Sequence, residues 1–259
     1  MSSGEPVRLR LDSRGVAWIT IENAAKLNTL SNTIMHALVT VTEQIAQDDA
    51  LRAVVLRGAG DRAFIGGADI AEMVTLDPAS ARDFITLVHR SCDVFRRLPV
   101  PAIACIQGWT LGAGLEVAAA CDLRIAANTA RFGMPEVRVG IPSVVEAALL
   151  PGLIGWGRTR RLLLTGETID AATALSWGLV EEVVPPAQLD AAVEKALGGI
   201  LASGARAIRL QKALIADWEK LPLADAIQRG IDCFAGAWDT DEPRGMMRRF
   251  LDFQRQRKR

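Results

Sequence analysis

Two glycine-bearing turns are the first segments whose residue types and spacing could do chemistry. One spans residues 63–70 (AFIGGADI) and the other residues 107–116 (QGWTLGAGLE). Each follows an apolar stretch and precedes a helical pattern, so free backbone N–H groups should favour an anion or a developing negative oxygen there. Glycines at such turns are also compatible with steric relief alone. A dinucleotide-binding loop is a further alternative for the second turn, but Val117 stands where its third glycine should be.

Two glutamates near the second turn are candidate acid and base groups. Glu116 interrupts the apolar run of residues 115–120, and glutamate is rarely buried unless it is paired or useful. An alternative is that it interacts with the helix dipole or pairs with Arg124. Glu136 follows a short strand at a proline-fixed turn and is also compatible with an ordinary loop acid.

The rest of the composition offers few other catalytic groups. The chain has no tyrosine, and its two histidines, His36 and His89, form no H-E-x-x-H pattern. This argues against zinc catalysis and predicts surface or packed histidines. The G-x-S-x-G motif of a serine nucleophile elbow is absent as well. We therefore expect carboxylates to carry the acid–base work, with no metal.

Charge and length limit the classes of partner. The 259 residues include 30 basic and 30 acidic side chains, a balance that argues against a nucleic-acid or anionic-membrane surface. A small molecule or another subunit is the expected partner. The sequence shows no signal-peptide core and no run near the roughly 20 apolar residues of a membrane span, which predicts a cytoplasmic protein. The four scattered cysteines are expected to be reduced core residues: Cys92, Cys105, Cys121 and Cys233.

The elements that must position these residues alternate between strand and helix. Residues 7–11 and 15–21 predict a β-hairpin, and Ser31 should cap a helix whose apolar face includes Ile34 and Leu38. Strands are predicted at 53–56, 101–106 and 123–127, and helices at 82–98 and 113–120. The fold class is therefore mixed α/β. From residue 186 onward four helical patterns follow one another, at 189–201, 205–218, 223–238 and 244–256.

Several blocks, in the right order, resemble the enoyl-CoA hydratase/isomerase, or crotonase, superfamily. The resemblance covers nearly the whole chain. The blocks are AFIGGADIAEM (63–73), QGWTLGAGLEVAAACD (107–122), FGMPEVRVG (132–140), LLLTGET (162–168) and WGLVEEVVP (177–185).

This resemblance implies a crotonase-like spiral of ββα units with two nearly perpendicular sheets. It implies a core over residues 1–185 that holds a coenzyme A thioester site, and a helical region over residues 186–259 that mediates homotrimer or homohexamer formation. No separate cofactor is implied, because coenzyme A is carried as part of the substrate.

The resemblance also assigns site residues. The two oxyanion-hole donors fall on the backbone N–H groups of Ala68 and Ala113, the latter where the family commonly has glycine, and the paired glutamates of hydratases fall on Glu116 and Glu136. The implied positions along the coenzyme A channel are Lys26, Leu27, Arg62, Gly66, Ala68, Asp69 and Ile70. Solvated surface charge is the alternative for Lys26 and Arg62.

The leading hypothesis is hydration of a 2-trans-enoyl-CoA. Adding water places enolate-like charge on the thioester oxygen, which two N–H donors can stabilise. Glu116 is expected to deprotonate the water and Glu136 to protonate Cα, as a coupled pair if the carboxyls are close. A Δ3,Δ2-enoyl-CoA isomerase, another acyl-CoA lyase or hydrolase of the superfamily, and a non-catalytic acyl-CoA-binding protein remain alternatives.

The sequence departs from the family after Gly140. In place of a glycine-rich loop it has IPSVVEAA over residues 141–148, one residue shorter. Ser143 and Glu146 fit a capping box, which we favour over a third active-site acid at Glu146. The bulky Val144 and Val145 predict a pocket for short or branched acyl groups.

Overall fold

The computed structural model describes residues 5–257, which fold as a mixed α/β protein. The strands are β1 (Val7–Leu11), β2 (Val16–Ile21), β3 (Ala53–Gly58), β4 (Ala63–Ile65), β5 (Ala102–Ile106), β6 (Trp109–Leu111), β7 (Leu123–Ala127), β8 (Arg131–Gly133), β9 (Thr168–Asp170) and β10 (Glu182–Val184). The helices are α1 (Asn32–Ile45), α2 (Ile70–Met73), α3 (Pro78–Arg97), α4 (Ala113–Ala120), α5 (Leu150–Thr165), α6 (Ala171–Trp177), α7 (Leu189–Ala202), α8 (Ala205–Trp218), α9 (Leu223–Ala237) and α10 (Glu242–Arg257).

Successive strands alternate between two sheets. The larger sheet has the order β1-β2-β3-β5-β7-β10 and the smaller the order β4-β6-β8-β9. The pairs β3/β4, β5/β6 and β7/β8 therefore each contribute one strand to either sheet before the chain turns away, and α2 and α3 follow the first pair while α4 follows the second. This repeat confirms the fold class expected from the sequence.

The first elements form as their side-chain patterns predict. Strands β1 and β2 make the antiparallel hairpin, with Val7 opposite Ile21. Helix α1 begins after Ser31, whose hydroxyl accepts the N–H of Ile34, and Ile34 and Leu38 are buried. The apolar face of α1 packs with α3 beside the larger sheet, because β2, β3 and β5 have mostly apolar, buried residues.

Helix α3 differs from its predicted range at the start. It begins at Pro78 rather than Arg82, because Asp77 caps it: the Asp77 carboxylate accepts the N–H groups of Ala79 and Ser80, and the Ser80 hydroxyl oxygen accepts the N–H of Asp77. Proline at the first helical position costs no hydrogen bond there. The Asp-Pro-x-Ser pattern was the available signal for this boundary.

The described chain divides into two compact units, with the boundary between Ala196 and Leu197. The first holds both sheets. In the second, α8 and α9 pack together, and Glu242 at the start of α10 accepts the N–H groups of Arg206 and Ala207 at the start of α8. The predicted division into a core of residues 1–185 and an oligomerisation region of residues 186–259 stays a prediction.

Candidate functional site

The two glycine-bearing turns lie together because the strands before them are neighbours. Strands β4 and β6 pair in parallel, with Ala63 opposite Trp109, so both chains leave the smaller sheet at the same edge. The contact is close: a methyl group placed on Gly114 would lie 2.1 Å from the carbonyl oxygen of Ile65, and one on Gly67 would lie 3.4 Å from the carbonyl oxygen of Leu111. Strand register therefore brings the predicted donor turns side by side.

The first turn leaves the N–H group of Ala68 outside its hydrogen-bond network. Gly66 donates to the carbonyl of Leu27 at 2.8 Å, and Asp69 donates to the carbonyl of Leu30 at 3.0 Å. The N–H of Ala68, between them, takes part in none of the hydrogen bonds that the described residues form in this turn. Asp69 then caps α2 by accepting the N–H of Ala71.

The second turn presents the N–H of Ala113, the first residue of α4, which has no acceptor within its own helix. Gly112 before it has φ +50° and ψ −122°, a conformation that side-chain-bearing residues rarely adopt. The space a side chain would fill at Gly112 holds a carboxylate oxygen instead: a Cβ there would lie 2.3 Å from Oε1 of Glu136. Glu136 thus lies against the turn that presents the Ala113 N–H.

Glu116 lies in the first turn of α4 and is only 4% exposed. Its Oε1 accepts the N–H of Ala147 at 3.2 Å. The pKa of Glu116 is raised to about 8, first because burial removes water from the charged form and then because Glu136 and, to a smaller degree, Glu146 are negative neighbours; the Ala147 N–H opposes this rise. A carboxyl that can hold a proton near neutral pH thus lies beside the N–H donors.

The alternative of an ion pair between Glu116 and Arg124 is wrong. The Arg124 guanidinium donates to the Glu181 carboxylate and to the carbonyls of Cys121 and Leu179. It therefore stabilises the C-terminal end of α4, at the opposite end of the helix from Glu116.

Glu136 begins a short 3-10 helix, Glu136–Val139, directly after Pro135. It is half-buried, and its Oε2 accepts the hydroxyl of Ser143 at 2.7 Å while Oε1 lies on Gly112. Both carboxylate oxygens are thus restrained, one by a hydrogen bond and one by contact with the donor turn.

The predicted capping box of Ser143 and Glu146 is wrong. The 3-10 helix Val145–Leu149 starts after Val144, with no side-chain cap, and the Ser143 hydroxyl is engaged by Glu136. Glu146 instead points its Oε1 at Nδ1 of His89, 2.7 Å away on α3. The carboxylate of Glu136, seven residues earlier and outside the spacing of a capping box, accepts the Ser143 hydroxyl instead.

Most of the residues predicted for a coenzyme A channel form a connected group. Leu27 has left-handed backbone geometry, φ +55°, which aims its carbonyl at Gly66. The Lys26 ammonium lies 3.3 Å from Oδ2 of Asp69, and Ile70 is 62% exposed. Arg62 is exposed just before β4, with its carbonyl accepting the N–H of Trp109. The structure thus brings Lys26, Leu27 and the turn from Gly66 to Ile70 together, whereas Arg62 lies at the other end of β4.

Sequence reasoning missed three contributors to this site: the N–H of Ala147, the Ser143 hydroxyl as a partner of Glu136, and His89. His89 had been expected to be a surface or packed residue. A serine seven residues after Glu136 was the one local hint.

Across residues 5–257, no group of three or more His, Cys, Asp or Glu side chains could hold a metal ion. Each helix in this part of the chain is too short or too polar to cross a membrane. Cys92, Cys105 and Cys121 are buried, as predicted, whereas Cys233 is partly exposed.

Comparison with known proteins places this arrangement in a family. The model of the enoyl-CoA hydratase/isomerase family matches residues 12–257. A crotonyl-CoA hydratase of Syntrophomonas wolfei is 34% identical over 238 residues, 92% of either chain, and a short-chain-enoyl-CoA hydratase of Clostridium acetobutylicum is 34% identical over 92% of this chain and 91% of its own. The solved structure of an enoyl-CoA hydratase from Bacillus anthracis superposes with a TM-score of 0.91 at 30% identity, over 95% of this chain and 96% of that one. The chain therefore belongs to the enoyl-CoA hydratase/isomerase family, as its sequence blocks predicted.

Proposed function

We propose that this protein is an enoyl-CoA hydratase, which adds water across the 2-trans double bond of an acyl-CoA thioester. The observation that carries the proposal is the meeting of four groups at one place: the N–H groups of Ala68 and Ala113 and the carboxyls of Glu116 and Glu136. The names of the relatives from Syntrophomonas and Clostridium support the same reaction.

The two N–H groups bind the thioester oxygen. As water adds at Cβ, electron density moves from the double bond to this oxygen, and donors already in place stabilise the enolate at little reorganisation cost. Removing one such donor typically lowers kcat by about a hundredfold to a thousandfold. Coenzyme A enters as part of the substrate, and the chemistry uses groups of the chain alone.

Glu116 removes a proton from water while Glu136 delivers one to Cα. One carboxyl must accept a proton and the other must give one, so hydration needs one proton within the pair. The raised pKa of Glu116, about 8, keeps one proton on the coupled pair at neutral pH, and the reactive form is the one in which this proton lies on Glu136 and Glu116 is ionised. We expect kcat/KM to fall as pH rises through about 8, because the proton is then lost.

The acyl pocket is proposed to favour short or branched groups. Val144 and Val145 stand beside the acids, and Val145 packs against the hydrophobic core. Turnover of C4, C8 and C16 enoyl-CoA by the same preparation tests this, and equal kcat/KM for C4 and C16 would contradict it.

Coenzyme A is proposed to lie along Lys26, Leu27, Arg62 and the turn from Gly66 to Ile70. The positive charges of Lys26 and Arg62 suit its phosphates, and exposed Ile70 offers an apolar contact. Arg62→Ala should raise KM with little change in kcat, since this contact is made equally in the ground state and the transition state.

Oligomerisation through the C-terminal helices is a further part of the proposal. Helix α9 exposes Ile227, Ile231 and Phe234, which are three or four residues apart and so share a face. Such a face on a single chain marks an interaction surface. Light scattering should give a trimer or hexamer, and a monomer would contradict this.

The nearest alternative is a Δ3,Δ2-enoyl-CoA isomerase, which moves a proton between two carbons and needs no carboxyl to activate water. The presence of buried Glu116 beside Glu136 favours hydration. A non-catalytic acyl-CoA-binding protein would have no use for a buried acid of raised pKa.

Hydration of crotonyl-CoA by the wild-type protein and by Glu116→Gln tests the assignment. We expect Glu116→Gln to lower kcat by about a hundredfold to ten-thousandfold, the usual range for general acid–base groups. Glu43→Gln, an exposed change on α1, serves as the matched control. Unimpaired hydration by Glu116→Gln would refute the role of Glu116, and binding of acyl-CoA with no turnover across a thioester panel would refute the enzyme.

A further inference from the structure

One buried acid beside the site has no role in the chemistry above. Glu146 is 6% exposed, with Oε1 hydrogen-bonded to His89 and Oε2 buried without a hydrogen-bond partner among residues 5–257. Burial raises its pKa, and the contact with His89 opposes the rise. A buried carboxyl with one oxygen that lacks a hydrogen-bond partner lowers the stability of the fold, which points to a functional role.

The backbone next to this acid is strained. Val145 has φ +40°, a conformation that is unfavourable for a β-branched residue. The resulting turn buries Glu146 and directs the next N–H, that of Ala147, onto Oε1 of Glu116. Two consecutive residues thus face inward, one to α3 and one to the proposed water-activating acid.

His89 anchors this turn to the rigid part of the fold. It lies on α3, with its side chain 48% exposed, and its Nδ1 is the polar contact that holds Glu146. The other titratable groups near this carboxyl are Cys92 and Asp93 on α3 and Glu116 on α4. Asp93 is itself paired with Arg97 at 2.6 Å, and Nδ1 of His89 is the hydrogen-bond partner of the Glu146 carboxyl on this helix.

We propose that Glu146, held by His89, is a positioning residue for Glu116. The hydrogen bond between Glu146 and His89 fixes the Val144–Ala147 turn, so that the Ala147 N–H stays on the Glu116 carboxyl. The negative charge of Glu146 also helps to keep one proton on the coupled pair of Glu116 and Glu136. This inference rests on the proposed role of Glu116 and adds the device that holds and tunes it.

Substitutions of His89 test the anchoring role. His89→Leu removes the hydrogen bond to Glu146 but keeps comparable bulk, whereas His89→Asn places an N–H donor near the position of Nδ1. We expect His89→Leu to lower kcat for crotonyl-CoA about tenfold to a hundredfold, because a small displacement of a reacting group is costly. KM should change by less than about threefold, since substrate contacts remain. His89→Asn should restore most of kcat, and the exposed His36→Leu is the matched control.

Glu146→Gln tests the electrostatic role with little change of shape. It removes one negative neighbour of Glu116, so the alkaline fall of kcat/KM should move to lower pH. A residue that only supports the fold would lower the melting temperature but leave this profile in place.

The results distinguish a failure of the positioning role from a failure of the proposed function. If Glu116→Gln is inactive while His89→Leu and Glu146→Gln keep wild-type kcat and pH profile, the positioning role is refuted and the proposed function stands. A rise in KM alone would also refute it, since Glu146 would then act on the substrate. If Glu116→Gln hydrates normally, the proposed function itself fails.

Discussion

Two regions meet at this site and are built in opposite ways. The paired turns after β4 and β6 are fixed by strand register. Glycines let their backbones approach so closely that an added Cβ would touch or overlap the backbone of the neighbouring segment. The segment from Ser143 to Ala147 has no strand or α-helix, contains strained Val145 and buries Glu146. The rigid region presents the N–H donors, while the irregular one restrains and tunes the two acids. The groups at the sheet edge thus determine the type of reaction, whereas the loop adjusts the position and the environment of the two acids.

The largest expected effect is on the free energy of unfolding and arises from Glu116, the acid that follows the second turn. Glu116 has a pKa of about 8 in the fold against 4.5 as its ordinary value, so the folded state favours the neutral form. The unfolded chain loses this proton from about pH 4.5 upward, and the free energy of unfolding should fall between pH 4.5 and 8. Glu116→Gln removes this cost, which is on the order of 4 kcal/mol above pH 8.

Denaturant unfolding of both proteins at pH 5 and at pH 8.5 measures the difference. The variant should gain stability relative to wild type only at the higher pH. An equal difference at both values would mean that Glu116 is not held neutral by the fold.

The next effect separates backbone strain from carboxylate displacement. In Gly112→Ala the new methyl group would meet Oε1 of Glu136, and φ +50° is unfavourable as well. We expect kcat to fall about a hundredfold, as for a misplaced reacting group. Gly140→Ala is the matched control, because φ is +82° there but nothing lies within 4 Å of the new methyl group.

Both variants should lose about 1–3 kcal/mol of stability from strain. Only Gly112→Ala should lose most of its activity, which crotonyl-CoA hydration measures. Equal losses in the two variants would show that Glu136 does not depend on the donor turn.

The smallest effect concerns the irregular region. Ser143→Ala removes the hydroxyl that donates to Oε2 of Glu136, while Oε1 keeps its contact with Gly112. A single hydrogen bond contributes about 0.5–1.5 kcal/mol, so kcat should fall about threefold to tenfold. Steady-state kinetics on crotonyl-CoA provide the measurement, and Ser143→Thr, which keeps a hydroxyl, should lose less. A loss as large as that of Gly112→Ala would make the loop, not the turn, the main support of Glu136.

The sequence predicted the region of the paired turns more completely than the segment from Ser143 to Ala147. Helix α4 has the predicted bounds, Ala113–Ala120, because the alanine-rich run after Gly112 has a high helix propensity. The helix start at Pro78 differs from the predicted start although its cap, formed by Asp77 and Ser80, is local in sequence. Ser143 and Glu146 could not have been assigned from spacing, because their partners, Glu136 and His89, are set by tertiary contacts.

For Glu116 and Glu136, the sequence predicted that they form a pair but not what distinguishes their environments. Family blocks identified Glu116 and Glu136 as a pair, and the structure brings both to the donor turns. The environment that distinguishes them is not local: Glu116 is buried in α4 and bound by Ala147, whereas Glu136 is half-buried and bound by Ser143.

Exchange of the Cα proton tests most directly whether the two carboxyls have separate roles. A saturated acyl-CoA such as butyryl-CoA has no hydroxyl to lose, so in deuterated water it can report proton transfer at Cα alone. Glu136→Gln should abolish deuterium incorporation, while Glu116→Gln should retain it within about tenfold although it no longer hydrates crotonyl-CoA. Exchange that is lost in Glu116→Gln and kept in Glu136→Gln would contradict the account.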